Sequence, residues 1–223
     1  MKEKIKKVIR SLISLLKEKQ LISVPTPVST NCILEGKVAL IIGGSGGIGF
    51  AMARAFLNSG CKVIIAGTQE NKLKKCCEII GGGYIRSLVI NVLDVHSLPD
   101  KVHEAAALFE ENRIDILVNS AGVIDHAGFL DVTEAVYDSV MNINVKGTFF
   151  MSQAVGHYMV DNGIKGHILN VSSASELRPA WSPYRMSKWT IRGLTLGMAE
   201  SLLPHGIIVN AIGPGPVGTR RRG

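Results

Sequence analysis

The sequence lacks the features that mark membrane-spanning and secreted proteins. Its longest apolar run, around residues 38–42, is far shorter than the roughly 20 apolar residues that a spanning helix needs. The N-terminus is basic, but Arg10 interrupts its apolar stretch and no small-residue cleavage site follows, which is unlike a secretion signal. We therefore expect a cytoplasmic protein without a transmembrane segment.

Cysteine is also scarce. The four cysteines show no C-x-x-C spacing, and an adjacent pair is a poor start for a disulfide framework or a zinc site. We expect the thiols to be reduced and to serve mostly in packing, and we predict no metal cofactor. They are Cys32, Cys61, Cys76 and Cys77.

The net charge of +7 is concentrated at the two ends of the chain, in the first 19 residues and in Arg220, Arg221 and Arg222. Between them there is no basic stripe with interleaved aromatic residues, so we predict no nucleic-acid partner. The positive field instead favours ligands that carry phosphate. The length of 223 residues and the hydrophobic content of 46% suit a single domain with one core.

The first 34 residues differ from the rest of the chain. Residues 2–19 place apolar side chains at helical spacing among six lysines, which predicts a basic amphipathic helix. A helix of this kind has three possible roles: it lies on an anionic membrane surface, docks on a partner or folds against its own domain. Of these, we favour the membrane role less than the others. Residues 24–30, with Pro25 and Pro27, predict a linker. We therefore divide the chain into residues 1–34 and a catalytic domain at 35–223.

From residue 35 onward, short β-rich runs alternate with helical patterns. This alternation predicts an α/β fold of the Rossmann type, a doubly wound parallel sheet covered by helices on both faces. The predicted strands are 38–42, 62–66, 85–91, 114–119, 167–171 and 207–212, and the predicted helices are 48–59, 70–80, 98–111, 135–157 and 182–203.

A glycine-rich loop follows the first predicted strand and opens a helix. At such a position, backbone N–H groups and the helix dipole hold the pyrophosphate of a dinucleotide, and glycine is needed because a Cβ atom would block the approach. The order of strand, loop and helix favours this interpretation over a plain glycine-rich turn. The loop consists of Gly43, Gly44, Ser45, Gly46, Gly47, Ile48 and Gly49.

The end of the second strand bears on the choice of dinucleotide. An Asp or Glu at this point accepts hydrogen bonds from the ribose of NAD, but this sequence has Gly67, Thr68 and Gln69 there. Without a carboxylate, the 2′-phosphate of NADP meets no repulsion. No arginine stands in the loop or at the strand end to bind that phosphate, although Lys72 or Lys74 lies nearby. We favour NADP and keep NAD as the alternative.

Tyr184, Lys188 and Ser173 suit hydride transfer to a carbonyl. Such a transfer builds charge on oxygen, so the site needs a proton donor, and tyrosine can serve if a cation lowers its pKa. Tyr184 and Lys188 stand four residues apart in a helical pattern and so share one face. Ser173 follows the strand at 167–171, at the carboxyl edge of the sheet where functional groups collect.

These motifs together resemble the short-chain dehydrogenase/reductase family, in its classical type, from about Lys37 to Thr219. The family contains oxidoreductases that act on carbonyls or secondary alcohols, including 3-oxoacyl thioesters, sugars and steroids. The matching pieces, in order, are the loop at Gly43, Gly47 and Gly49, then Asn119 to Gly122, Asn144 to Gly147, Ser172-Ser173, Tyr184 to Lys188, and Pro214-Gly215 with Thr219.

The resemblance implies a catalytic tetrad. Tyr184 would be the acid/base, Lys188 its pKa modulator and a ribose ligand, Ser173 a donor to the carbonyl oxygen, and Asn144 the holder of a proton-relay water. It also implies that Asn119 stabilises the central sheet. The implied cofactor contacts are Gly43, Ser45, Gly46, Gly47, Ile48, Gly49, Gly67, Thr68, Asn91, Val92, Asn119, Ala121, Gly122, Tyr184, Lys188, Pro214, Gly215, Val217 and Thr219.

Two roles have alternatives. Ser172 replaces Ser173 as the donor in one reading, because the interval from serine to tyrosine is shorter than usual for the family. Asn144 merely satisfies helix backbone groups in another. The resemblance further implies a homo-oligomer, at least a dimer, built on the helices at 135–157 and 182–203.

The chain also departs from the family pattern. Ile42 replaces the usual threonine, Gly46 stands where reductases often have a basic residue, and Asn91 replaces the usual aspartate. Family members continue for roughly 30 to 50 residues past the point matching Gly223, and that part holds the substrate lid and last strand. The main hypothesis is an NAD(P)-dependent oxidoreductase acting on a small carbonyl or alcohol. The alternative is an inactive or truncated dinucleotide-binding protein, associated with a membrane surface through its N-terminal helix.

Overall fold

The computed structural model of the protein describes residues 32–215. The predicted basic helix at 2–19, the linker at 24–30 and the three closing arginines lie outside the described residues. Val217 and Thr219 lie outside them as well.

Six parallel strands form one sheet, and helices connect successive strands. The strands are β1 (Val38–Ile42), β2 (Lys62–Gly67), β3 (Ile85–Val89), β4 (Ile116–Asn119), β5 (His167–Val171) and β6 (Ile208–Ile212). The helices are α1 (Gly47–Asn58), α2 (Glu70–Ile80), α3 (Leu98–Ala106), α4 (Glu134–Met141), α5 (Thr148–Asp161) and α6 (Pro183–Leu202). A π-helix, Asn142–Gly147, joins α4 to α5, and short 3₁₀ turns include Ala174–Leu177.

The strand order is β3-β2-β1-β4-β5-β6, so the sheet winds in opposite directions from β1 and β4. This is the order of the Rossmann fold, which confirms the predicted fold class. In such a sheet, ligands bind where the order reverses, at the carboxyl ends of the strands. That point lies between β1 and β4, which pair in parallel with Ile42 opposite Asn119.

The core consists of two apolar layers, one on each face of the sheet. Strand β1 is buried along its whole length, which explains why it reads as a continuous apolar run. Its residues alternate between the layers: Leu40 and Ile42 pack on the side of α3 and α5, whereas Ala39 and Ile41 pack on the side of α1 and α2.

Most predicted elements appear within a few residues of their expected bounds, but the helix expected over 135–157 does not form one α-helix. The structure divides it into α4, the π-helix and α5. The wider turn lies where Gly147 packs against Val92, so closely that a Cβ on Gly147 would lie 2.6 Å from Cγ2 of Val92. This packing depends on Val92, which is distant in sequence, so the helical periodicity of residues 135–157 does not predict it.

The cysteines are free thiols, and three of them lie wholly or partly inside the layers. Burial raises the pKa of Cys61 to about 12 and also raises the pKa values of Cys76 and Cys77. These thiols are therefore protonated and act as packing groups. Within residues 32–215, none of the helices has both the length and the apolar character required to cross a membrane.

Candidate active site

The glycine loop leaves β1 and touches the loop that leaves β4. Gly43 has a positive φ of 79°, and a Cβ atom on it would lie 2.6 Å from the backbone nitrogen of Ala121. A Cβ on Gly49 would collide with the carbonyl oxygen of Gly43. The N–H of Gly43 is held by the carbonyl of Ala66 in β2 at 2.8 Å. Glycine is therefore required at these two positions by the protein's own packing.

The N-terminus of α1 is open. Gly46 is its N-cap and provides no side-chain hydrogen bond, and the first turn, from Gly47 through Ile48 and Gly49, contains no acidic residue. The N–H groups of such a turn have no partner within the helix and carry partial positive charge. This helix start suits an anion such as a pyrophosphate.

The second strand ends at Gly67, beside Ser45 of the glycine loop. A Cβ on Gly67 would lie 4.0 Å from Oγ of Ser45 and from a methyl of Leu73, so the position has space for a side chain. The nearest acid along the chain, Glu70, forms an exposed ion pair with Lys74 at 2.6 Å. That lysine lowers the pKa of Glu70.

Asn91 and Val92 follow β3. Asn91 is exposed, and its Oδ1 accepts a hydrogen bond from the N–H of Leu93 at 3.1 Å. Val92 is buried and supports Gly147 of the π-helix. Val92 therefore connects this loop to the segment that bears Asn144.

Asn119 lies at the end of β4 in a chain of buried hydrogen bonds. Its Nδ2 donates to Oγ of Ser152 and to Oδ1 of Asn170, both at 2.9 Å. Asn170 donates in turn to Thr195 of α6 at 2.9 Å. The chain joins α5, β4, β5 and α6, and it holds the carboxyl ends of two strands to the helices that cover them.

Asn144 is buried, with 1% of its surface exposed, on the π-helix. Its Oδ1 accepts from the N–H of Val123 at 2.8 Å, and its Nδ2 donates to the carbonyl of Val123 at 2.9 Å and to Oγ of Ser187 at 3.0 Å. Oγ of Ser187 donates to the carbonyl of Tyr184 at 2.7 Å. The side chain thus bridges the loop after β4 and the start of α6, and none of these partners belongs to its own helix.

Tyr184 and Lys188 share one face of α6, as their spacing predicts. Nζ of Lys188 lies 5.6 Å from the centroid of the Tyr184 ring and donates to the carbonyl of Val171, at the end of β5, at 2.9 Å. The same Nζ lies 3.9 Å from the position of a Cβ on Gly122. The ammonium therefore lies at the carboxyl edge of the sheet, between the loops that follow β4 and β5.

The environment of Lys188 changes its acidity. The residue is 7% exposed, and this burial lowers the pKa of its ammonium to about 8, against the opposing attraction of Glu176. At pH 7 the group is still mostly charged. A buried cation whose pKa is strongly shifted is typical of functional sites.

The two serines after β5 differ in their hydrogen bonds. Oγ of Ser172 is buried and donates to the carbonyl of Lys188 at 3.2 Å. Oγ of Ser173 is partly exposed and accepts from the N–H of Ser175 at 3.1 Å, which leaves its own hydrogen available. The segment after β6 lies against this loop, because the carbonyl of Pro214 accepts the N–H of Ala174 at 3.0 Å. Gly215 follows it at the surface.

Two acidic residues at this edge were not predicted from the sequence. Asp125, in the loop after β4, accepts the backbone N–H of Tyr184 at 2.9 Å, and its other oxygen is buried. Glu176, in the 3₁₀ turn after Ser173, also has one buried oxygen without a hydrogen-bond partner among residues 32–215. In the sequence, Glu176 could have been noticed because it stands three residues after the predicted catalytic Ser173. No sequence pattern pointed to Asp125.

The sequence matches the family model described as short chain dehydrogenase over residues 37–223. It is 35% identical over 190 residues to the 2-dehydro-3-deoxy-D-gluconate 5-dehydrogenase of Dickeya dadantii. This alignment covers 83% of this chain and 74% of that relative. It is 37% identical over 186 residues to a sorbitol dehydrogenase of Cereibacter sphaeroides, with 82% and 72% covered.

Among solved structures, a short-chain type dehydrogenase/reductase from Mycobacterium marinum superposes with a TM-score of 0.77 at 32% identity. The match covers 82% of this chain and 75% of that one. Fold, family model and relatives agree. The chain therefore belongs to the short-chain dehydrogenase/reductase family, whose members are oxidoreductases that use NAD(P).

Proposed function

We propose that the protein transfers a hydride between NAD(P) and a small carbonyl or secondary alcohol, with Tyr184 as the acid/base. The observation that carries this proposal is the position of the buried Lys188 ammonium, 5.6 Å from the Tyr184 ring and at the carboxyl edge of the sheet. A hydroxyl donor with a cation beside it is the pairing that acid–base catalysis at a carbonyl oxygen requires.

The proposed donor to the substrate oxygen is Ser173. Its hydroxyl accepts one hydrogen bond from Ser175 and retains a free hydrogen, whereas the hydroxyl of Ser172 is buried and already donates to Lys188. A donor directed at the developing oxyanion stabilises the transition state. The hydrogen bonds therefore favour Ser173 over the alternative, Ser172.

Asn144 is proposed to act beside a proton-relay water, as the family resemblance implies. Its bonds to Val123 and Ser187 connect the loop after β4 to the helix turn that carries Tyr184. The reading in which it only satisfies its own helix backbone has no support from these partners.

The cofactor-binding residues fit a dinucleotide. The open start of α1 and the glycine loop would hold its pyrophosphate, Gly122 would face it, and Lys188 would bind its ribose. When bound, the nicotinamide supplies or accepts the hydride. Pro214 and Gly215 continue from β6 beside Ser173 and would line that part of the site.

We favour NADP as the cofactor. Gly67, Thr68 and Gln69 carry no negative charge, and the acid that follows, Glu70, is paired with Lys74. Lys72 is exposed and has no ion pair among the described residues, so it is the candidate for the 2′-phosphate. Binding titrations with NADPH and NADH test this choice, and Lys72→Gln should weaken the binding of NADPH alone.

The proposal is tested by following cofactor absorbance in the presence of a panel of carbonyls and secondary alcohols. Tyr184→Phe should lower kcat about 10²-fold to 10⁴-fold, which is the usual value of a positioned acid or base. Tyr84→Phe is the matched control, because Tyr84 is exposed and directly precedes β3, at the amino ends of the strands and therefore at the opposite edge of the sheet from the candidate site. Cofactor binding without turnover of any substrate would refute the proposal and favour a non-catalytic dinucleotide-binding protein.

We also propose a homo-oligomer, at least a dimer, through the outer surface of α5 and α6. Between these helices lies a groove of about 580 Å³, and Phe149 and Leu196 on the two helices are exposed apolar side chains. Light scattering coupled to gel filtration tests the mass, and Leu196→Glu should shift it toward the monomer.

A further inference from the structure

Glu176 is placed by the same turn that places Ser173. The hydroxyl of Ser173 caps the 3₁₀ turn Ala174–Leu177, and the N–H of Glu176 donates to the carbonyl of Ser173 at 2.9 Å. The carboxylate therefore belongs to the loop that carries the proposed oxyanion donor.

The carboxylate of Glu176 folds back toward the segment that follows β6. Its Oε1 lies 3.5 Å from the position of a Cβ on Gly213, and that same position lies 3.4 Å from the carbonyl group of Ser173. The acid is thus held close to the backbone of Ser173.

Within residues 32–215, Oε2 of Glu176 is buried and has no hydrogen-bond partner. A buried carboxylate oxygen without a donor is unfavourable, so each such atom in a folded protein requires an explanation. A hydrogen-bond donor on a substrate bound beside Ser173 would satisfy this oxygen.

The Lys188 ammonium does not satisfy this oxygen. Burial lowers the pKa of the Lys188 ammonium and the attraction of Glu176 partly offsets this, yet the two residues form no ion pair within 4.0 Å in the described part of the chain. Nζ of Lys188 donates instead to Val171. The acid thus contributes negative charge to the site and keeps an acceptor free.

We propose that Glu176 is a specificity-determining residue that accepts a hydrogen bond from a hydroxyl group of the substrate, close to the reacting carbon. The inference rests on the proposed function and names its substrate class, which is neutral polyols and the corresponding sugars. A carboxylate can only accept hydrogen bonds, so it suits a substrate hydroxyl, repels a substrate carboxylate and is left unsatisfied by an apolar alcohol.

The test compares oxidation of three probes by the full chain and by Glu176→Gln and Glu176→Leu. The probes are sorbitol as a neutral polyol, cyclohexanol as an alcohol without further hydroxyls, and 2-dehydro-3-deoxy-D-gluconate as a carboxylate. Glu176→Gln keeps the size of the side chain and removes its charge, and Glu176→Leu removes the acceptor. Cofactor binding and thermal unfolding of each variant serve as the folding controls.

For sorbitol, we expect kcat/KM to fall about tenfold in Glu176→Gln and about 100-fold in Glu176→Leu. The reason is that loss of a buried hydrogen bond to a substrate hydroxyl weakens binding of the transition state. For cyclohexanol kcat/KM should fall much less than for sorbitol, because the effect of Glu176 on the Lys188 ammonium is common to all three probes and cancels from their ratio. For the carboxylate probe it should rise in Glu176→Gln.

Equal losses for all three probes would mean that Glu176 has only an internal structural role and would overturn the inference. So would an unchanged ratio of sorbitol to cyclohexanol activity in both variants. Turnover of other members of the carbonyl and alcohol panel by the wild-type chain, but not of sorbitol, would overturn the inference alone. Absence of wild-type turnover with the whole panel would instead refute the proposed function, so the wild type distinguishes the two failures.

Discussion

The carboxylate of Asp125 accepts a hydrogen bond from the backbone N–H of Tyr184 over 2.9 Å. Asp125 belongs to the loop after β4, and Tyr184 is the second residue of α6, so the contact ties this loop to the start of the helix. The helix's own N-cap, Ser182, holds the N–H of Arg185 only over 3.5 Å. Asp125 is therefore the closer cap, and its charge is favourable at a helix N-terminus.

Replacing Asp125 should affect both stability and catalysis. We expect Asp125→Ala to lower the free energy of unfolding by about 1 kcal/mol, as loss of a cap does, and to lower kcat about tenfold because Tyr184 loses its anchor. Asp125→Asn keeps an acceptor and should restore most of kcat. Urea unfolding and steady-state kinetics measure the two effects.

The control for this prediction is Ser182→Ala, which removes the weaker cap of the same helix without releasing the N–H of Tyr184. If Asp125→Ala lowers kcat no more than Ser182→Ala does, the contact with Tyr184 has only a structural role.

Helix α2 illustrates why much of the fold was predictable from the sequence. It begins at Glu70 and ends at Ile80, as predicted, because Leu73 and Cys76 face the core at helical spacing and three glycines follow. The first of these glycines has a positive φ of 69°. Local chemistry decides such an element, and the same holds for β1 and β5, whose bounds also agree.

The residues that the structure brings together at the candidate site could be singled out from the sequence only where a motif marks them. Asp125 stands 59 residues before Tyr184, in a loop without periodicity, so no local pattern could pair them. The π-helix around Asn144 depends on the packing of Gly147 against Val92, which only the tertiary structure creates. Sequence patterns therefore do not predict the contacts between loops that follow different strands.

Cofactor choice should respond to a carboxylate at the end of β2. Gly67 has space for a side chain, because its nearest neighbours would lie 4.0 Å from a Cβ. Gly67→Asp should weaken binding of NADPH relative to NADH by about 100-fold, because the new charge repels the 2′-phosphate and accepts a bond from a free ribose hydroxyl.

Gly67→Asn is the control, since it adds the same volume without charge. Fluorescence titration of both variants with the two cofactors gives the ratio of Kd values. An equal ratio in the two variants would show that this strand end does not contact the 2′ position.

The glycine loop should tolerate no Cβ at Gly49. Gly49→Ala places a methyl group against the carbonyl oxygen of Gly43 and should reduce stability by about 1 to 3 kcal/mol, with a loss of cofactor affinity. Gly193→Ala is the matched control, because Gly193 lies within α6 with open space around it. That variant should gain up to about 1 kcal/mol from helix propensity. Cofactor binding by Gly49→Ala with wild-type affinity would contradict the assignment of the loop.

Lys188 should make stability depend on pH in an unusual direction. Its pKa is about 8 in the folded protein and 10.5 ordinarily, so between these values the unfolded chain binds more protons. Stability therefore rises with pH in this window, because the buried ammonium becomes neutral. The free energy of unfolding of the wild type, relative to Lys188→Met, should increase by about 2 to 3 kcal/mol from pH 7 to pH 10.

Lys188→Met makes this comparison specific to one group. The methionine leaves the carbonyl of Val171 without its donor, but that loss is the same at both pH values and cancels from the difference. Other titrating groups are shared by the two proteins and cancel as well. Urea unfolding at pH 7 and pH 10 measures the change. A difference that does not vary with pH would mean that the Lys188 ammonium is hydrated rather than buried, and its role beside Tyr184 would then need another physical basis.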